Sequence, residues 1–179
     1  MSKEVFLIDS NSLITPNLNF YPFDLAPGFW RQMSDGVESG EIAIIDLVEE
    51  EILKGNDSLK DWLSGLNVKN YIKHDESDII KAYSDVLVHI QTNDCYKEAA
   101  LKEWSRAEVA DPWLIAAAKV KNMTIITFEK KTGGLNSLNP SKNAKIPDVA
   151  NAFKVKTEDL YYICLLYTSD AADDRISVD

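Results

Sequence analysis

The sequence predicts a single parallel α/β domain. Three observations lead there. Short, uniformly apolar and β-branched runs recur, among them Val5-Phe6-Leu7-Ile8 and Ile42-Ala43-Ile44-Ile45. Longer amphipathic stretches separate them, as parallel strands require, because such strands can be joined only by a crossover, usually helical. The chain of 179 residues, 45% of them apolar, is long enough for one core and too short for two comfortable domains.

The elements follow in order. Val5–Ile8 reads as a central strand, apolar throughout because both its faces are covered. A helix is expected over Pro27–Glu38, weakened at its end by Gly36 and Gly40. Ile42–Ile45 gives the second strand, and Leu47 to Lys54 a helix closed by Gly55-Asn56. Asp57-Ser58 caps the next helix, and Tyr71-Ile72-Lys73 forms a minor strand. Helices over Glu76–Gln91 and Lys97–Ala107 come next, the first with Ile79, Ile80, Tyr83, Val86, Leu87 and Ile90 at three- and four-residue spacing. Asp111 serves as N-cap and Pro112 as first residue of a further helix. Met123–Thr127 is the next strand. A Gly- and Asn-containing loop leads to a short helix near Asp148, a small strand over Phe153–Val155 and a last helix capped by Thr157. The four tryptophans fall in amphipathic segments and read as core.

The formal charge is −10, which excludes a protein that coats nucleic acid through a general basic surface. An enzyme acting on nucleic acid remains compatible with it, if part of the negative charge sits in one metal pocket rimmed by lysines. Two cysteines far apart, Cys95 and Cys164, give neither a zinc motif nor a disulfide framework and read as reduced thiols. No apolar run approaches the roughly 18 to 20 residues of a membrane span, so no membrane partner is expected. Met-Ser-Lys-Glu leads straight into a strand, leaving no room for a secretory signal, and the expected location is the cytoplasm.

The C-terminal stretch departs from the rest. The domain is expected to end at residue 163, and residues 164–179 resemble translated vector or adaptor sequence, a non-native or disordered tail. The other reading is a natural acidic tail. Residues 165–179 hold four acids and one arginine, so without them the charge moves from −10 to −7 and stays acidic.

Four acids carry the candidate chemistry. Asp9 follows the first strand, Glu51 lies on the helix after the second, Asp111 opens the helix before the next clear strand, and Glu129 follows that strand. Taken alone, Asp9 reads as an Asx turn. Together, the acids fall at ends that converge on one edge of a parallel sheet. Clustered carboxylates repel one another and resist burial unless protons or metal ions compensate. Mg²⁺ or Mn²⁺ is the natural compensation, as hard cations prefer oxygen and leave positions open for phosphate. Two such ions would serve the attacking water and the leaving oxygen of an in-line displacement. Neither His74 nor His89 is required.

These segments resemble a known family. Phe6-Leu7-Ile8-Asp9-Ser10-Asn11, Ala110-Asp111-Pro112-Trp113-Leu114-Ile115-Ala116 and Ile125-Ile126-Thr127-Phe128-Glu129 look like the first, third and fourth acid motifs of PIN-domain nucleases, in order, with Val48-Glu49-Glu50-Glu51-Ile52 supplying the second. The ADPWLIA run and Tyr21-Pro22-Phe23 are similar to a less characterised PIN-like branch. The resemblance covers roughly Val5 to Leu160. It implies a three-layer α/β/α sandwich around a central parallel sheet and Mg²⁺- or Mn²⁺-dependent endoribonuclease activity. The implied partners are RNA, an antitoxin protein in a toxin–antitoxin pair, and a second copy of the chain as a homodimer.

Asp9, Glu51, Asp111 and Glu129 are the metal and catalytic residues the resemblance implies. Glu49 and Glu50 compete with Glu51, since a helix turns about 100° per residue and only one can face directly inward. Glu129 stands where the family usually has Asp. Asn11 and Thr127 would support ligands or phosphate, or act as turn and strand-end residues. Asp148 would join the acidic edge or stabilise a helix start. Lys130, Lys131, Lys142 and Lys145 would attract phosphate or form a solvated loop. The alternative function is a catalytically weak or inactive PIN-like module that binds protein or RNA. Receiver and phosphatase readings fit less well, because Asn11 stands where an aspartate-nucleophile phosphatase has a second Asp and Asp9-Ser10-Asn11 lacks the acidic pair of a receiver.

Overall fold

The computed structural model describes residues 4–173. Five strands, β1 (Phe6–Ile8), β2 (Ile42–Ile45), β3 (Tyr71–Ile72), β4 (Thr124–Ile126) and β5 (Thr157–Glu158), form one sheet in the order β3-β2-β1-β4-β5. Every pairing is parallel. Phe6 stands opposite both Ile42 and Thr124, and Leu7 opposite Ala43 and Ile125, so β1 is the centre of the sheet. Each residue of β1, β2 and β4 is buried. Successive strand side chains point to opposite faces, so helices cover both sides and the fold is α/β with a flanked parallel sheet, as the apolar runs predict.

The helices are α1 (Asn11–Thr15), α2 (Pro27–Ser39), α3 (Asp46–Leu53), α4 (Ser58–Ser64), α5 (Ser77–Thr92), α6 (Glu98–Trp104), α7 (Asp111–Lys121), α8 (Ile146–Ala152) and α9 (Leu160–Asp173). Helix α1 and the wide π-type turn over Pro16–Phe20 behind it are not anticipated by the sequence. Five residues are too few to show a period, and Asn, Ser and Thr are indifferent helix formers. Tertiary contacts hold α1 instead: Leu13 is buried, and the Ser12 hydroxyl donates to the Ile126 carbonyl at 3.2 Å. Gly40, at φ 88°, closes α2, and Asp57 caps α4 by accepting from the Lys60 N–H at 3.2 Å.

Three expectations need correction. The small strand placed at Phe153–Val155 is a turn: Lys154, at φ 59°, ends α8 in the left-handed region, and the Val155 N–H returns to the Ala150 carbonyl at 2.9 Å. The strand lies slightly later, at Thr157–Glu158, so Thr157 is a strand residue and not a cap. The start of α9 is held by Asp159, whose carboxylate accepts from the Tyr162 N–H at 3.2 Å. Asp111 is the first helical residue of α7, with Ala110 in the capping position, and its side chain makes no capping bond. That carboxylate is therefore not spent on its own helix.

The core is one apolar cluster running from Phe6 to Ile163. Trp30 and Trp104 are buried in it, and Trp62 and Trp113 pack against it half-buried. Both cysteines are free. Among the described residues no helix is long and apolar enough to cross a membrane. The backbone of the stretch expected as a tail is helical as far as Asp173, and residues 174–179 lie outside the described residues.

Candidate functional site

The order β3-β2-β1-β4-β5 reverses direction between β1 and β4, and in open parallel sheets the crevice at such a switch point, beyond the strands' carboxyl ends, is where ligands bind. Asp9 follows β1 at this crevice. Its N–H donates to the Ile126 carbonyl at 2.9 Å, which fixes the residue beside the end of β4. Thr127 and Glu129 leave β4 at the same edge. Helix α7 runs back across the sheet and feeds β4 at its amino end, so Asp111, at the start of the helix, lies at the crevice.

Asp9 is 2% exposed. The Thr127 hydroxyl donates to its Oδ2 at 2.9 Å, and Ser10 Oγ lies 3.5 Å from Oδ1. Thr127 Oγ1 also accepts the Glu129 N–H at 3.1 Å, so its one proton is directed at Asp9. Burial pushes the Asp9 carboxyl up to about 6; the Thr127 bond opposes that, while the charges of Glu129 and Glu51 add to it. Asp111 is raised further, to about 7, first by burial and then by the charges of Asp9, Glu129 and Glu51, with Lys145 pulling the other way. Both aspartates thus feel the charges of Glu129 and Glu51, and burial makes the repulsion costly.

Glu51 sits exposed on α3, yet its charge reaches both aspartates. Its rivals face elsewhere: Glu49 accepts the Tyr71 hydroxyl at 2.7 Å, and the charge of Glu50 acts on that same tyrosine. Glu129 is tied to its own chain. Lys145 Nζ donates to Oε1 at 2.6 Å and the Ile146 N–H to Oε2 at 2.8 Å. Asp148 anchors the loop after β4 by accepting the Thr132 N–H at 2.9 Å. Asn11 is exposed, and its backbone N–H, not its side chain, supports the Asp9 carboxylate.

Asp111, Glu129 and Lys145 open into one cleft of about 160 Å³. Thr127, Glu129, Lys130 and Lys131 line a neighbouring cleft of about 370 Å³. A larger cleft, about 590 Å³, lies at the opposite edge of the sheet and contains none of the expected site residues. It is lined by the starts of β1 and β4, the end of α7 and the turn after α8. Among the described residues no three Asp, Glu, His or Cys side chains stand close enough together to hold an ion as a preformed cage. The pair Asp9 and Asp111 nonetheless fits Mg²⁺ or Mn²⁺, because small hard cations are usually held by one or two carboxylates, with water and substrate phosphate completing the shell. Ser10 and Ser12, buried hydroxyls behind Asp9, escape sequence reasoning; their only signal is two small polar residues in an otherwise apolar segment.

An acidic crevice at the switch point of a parallel α/β sheet defines the class of this protein. The family model described as "Domain of unknown function (DUF4411)" matches residues 6–164, and the chain belongs to that family. No curated protein matches it in sequence. Among solved structures it is similar to a chain of VapBC2 from Rickettsia felis, a crystal structure bound to a DNA fragment from their promoter. The identity is 12%, the match covers 87% of this chain and 98% of that chain, and the TM-score is 0.49.

Proposed function

We propose that this protein is a Mg²⁺- or Mn²⁺-dependent endoribonuclease of PIN-like type. One observation carries the reading: two aspartates, Asp9 and Asp111, meet in one crevice in which burial raises both carboxyls, the charges of Glu129 and Glu51 raise both further, and the charge of Asp9 adds to the rise at Asp111. Such an arrangement destabilises the bare protein and is relieved by a divalent cation. The ordered PIN-like motifs around Asp9, Glu51, Asp111 and Glu129 support the same reading. Asp9 and Asp111 would hold the ion, with Glu51 within electrostatic reach. When bound, it would supply Lewis-acid stabilisation of charge on a phosphodiester. The chain's own part is to keep the Asp9 carboxylate oriented through Thr127 and to present Lys130, Lys131 and Lys145 to the anionic substrate. A toxin role, with an antitoxin as partner, rests on the resemblance alone.

The deciding assay is cleavage of a mixed RNA pool by the full chain with Mn²⁺, with EDTA, and by an Asp9→Asn variant. Metal-dependent cleavage that disappears in the variant is expected; cleavage that survives EDTA or Asp9→Asn overturns the reading. A second reading, a PIN-like binding module without turnover, is favoured by the engagement of both Glu129 oxygens with the protein itself. RNA binding without cleavage under any metal would select it.

Thr127→Val probes the support beneath Asp9. It removes the 2.9 Å hydrogen bond to Oδ2 at nearly constant shape. Partners behind metal ligands typically tune affinity by about 10- to 100-fold, so Mn²⁺ titration calorimetry should report at least a tenfold weaker Kd. An unchanged Kd would remove Thr127 from the site.

A further inference from the structure

We propose that Lys145 is a phosphate-contacting residue of the site and that Glu129 is its anchor, leaving one divalent ion, held by Asp9 and Asp111, to share the substrate phosphate with the Lys145 ammonium. This rests on the nuclease reading above.

The geometry begins with Glu129. Its backbone N–H is fixed by Thr127 Oγ1 at 3.1 Å, and its carboxylate spans from the end of β4 to the start of α8, where it accepts from Lys145 Nζ and the Ile146 N–H. Both oxygens are thereby engaged, one in a charge-assisted bond of 2.6 Å, the strong kind that a metal would have to displace. An acid at this place whose two oxygens are both committed to Lys145 and the Ile146 N–H is used as a brace.

Lys145 is built for the complementary task. An ammonium carries three protons, and one is given to Glu129. The side chain stays 40% exposed and opens into the cleft shared with Asp111. Its charge is felt at Asp111, where it opposes the repulsion of the other acids. In a chain of net charge −10, an RNA phosphate approaching four carboxylates needs a fixed local cation. Lys130 and Lys131, both exposed, line the neighbouring cleft and make no ion pair among the described residues, whereas Lys145 is held in place by Glu129. A pre-positioned ammonium beside a two-carboxylate ion site does electrostatically what a second metal does in a two-metal nuclease.

The test uses the full chain in two measurements. Mn²⁺ calorimetry should give one ion per chain for the wild type and for Glu129→Gln, with Kd changed by less than about threefold, and none for Asp111→Asn. Fluorescence anisotropy of a labelled single-stranded RNA in EDTA, across a salt series, should show Lys145→Gln lowering the slope of log affinity against log salt by about 0.7, the share of one phosphate contact, and Lys145→Arg restoring it. Two Mn²⁺ per chain with one lost in Glu129→Gln, or loss of all Mn²⁺ in that variant, overturns the assignment of Glu129. If Glu129→Gln does not fold, the Lys145 series decides. Mn²⁺ uptake with an unchanged RNA slope in Lys145→Gln overturns this assignment alone; no Mn²⁺ uptake by the wild type overturns the metal reading and this inference with it.

Discussion

Asp111→Asn, freed of metal, should melt at a higher temperature than the wild type at pH 8 while losing Mn²⁺ binding and reducing RNA cleavage more than about 100-fold. The two effects share one cause. In the folded protein the Asp111 carboxyl titrates near 7, and in the unfolded chain near 3.9. A group whose folded pKa is raised holds its proton better in the native state, so the stability it contributes is fully present below the unfolded pKa. That stability is lost as pH climbs towards the folded one. For the pair, the loss runs from about pH 4 through about 6 for Asp9 and about 7 for Asp111. At pH 8 the ionised Asp111 then costs on the order of 2 to 4 kcal/mol, which asparagine avoids while keeping the shape. In a protein of this size that corresponds to roughly 5 to 15 °C in Tm. Between pH 5 and pH 8 in EDTA the melting temperature should therefore fall steeply for the wild type and by less than half as much for Asp111→Asn, which keeps only the Asp9 titration, and Mn²⁺ should raise the wild type alone. Parallel curves for the two proteins would show that Asp111 bears no buried charge.

Trp30→Ala should be the most damaging of the simple truncations, at about 3 to 5 kcal/mol. Trp30 is 3% exposed on α2. It stacks on Phe23 with ring centroids 4.0 Å apart and meets Trp62 and Phe29 edge-on, each at 5.0 Å. Its Nε1–H donates to the Tyr21 carbonyl at 2.7 Å. Those contacts bind the Tyr21–Ala26 link to α2 and α4, so truncation leaves a cavity and also an unpaired carbonyl. Urea unfolding should register the loss in the midpoint with little change in m. A shift of less than 1 kcal/mol would mean that the link is held by something other than this aromatic cluster.

How far such features could be read beforehand depends on where the information lies. β1, β2 and β4 are legible because burial on both faces leaves an uninterrupted apolar run. β5 is not, since Thr157 and Glu158 pair through backbone alone: Ile125 donates to the Lys156 carbonyl at 2.9 Å and Thr127 to the Glu158 carbonyl at 3.0 Å. Almost any two residues would serve. Asp9 and Asp111 can be found as acids at a strand end and a helix start, and their convergence follows from parallel topology. The choice among Glu49, Glu50 and Glu51 cannot be made that way, because it turns on Tyr71 taking Glu49 across the fold. The tie between Glu129 and Lys145 is equally silent, as the two lie 16 positions apart with an irregular loop between them.

The central place of β1 also sets a timetable. Ile8 pairs with Ile126, 118 positions later, so one flank of the first strand waits for a partner that is synthesised much later. At ordinary translation speeds that wait lasts roughly 6 to 24 s. During it the nascent chain exposes an apolar strand edge, a natural client for a ribosome-associated chaperone. Asp9 meanwhile has neither Thr127 nor Asp111 beside it. Whatever reaction this crevice performs, it is switched off by construction until Asp111 and Thr127 have left the ribosome.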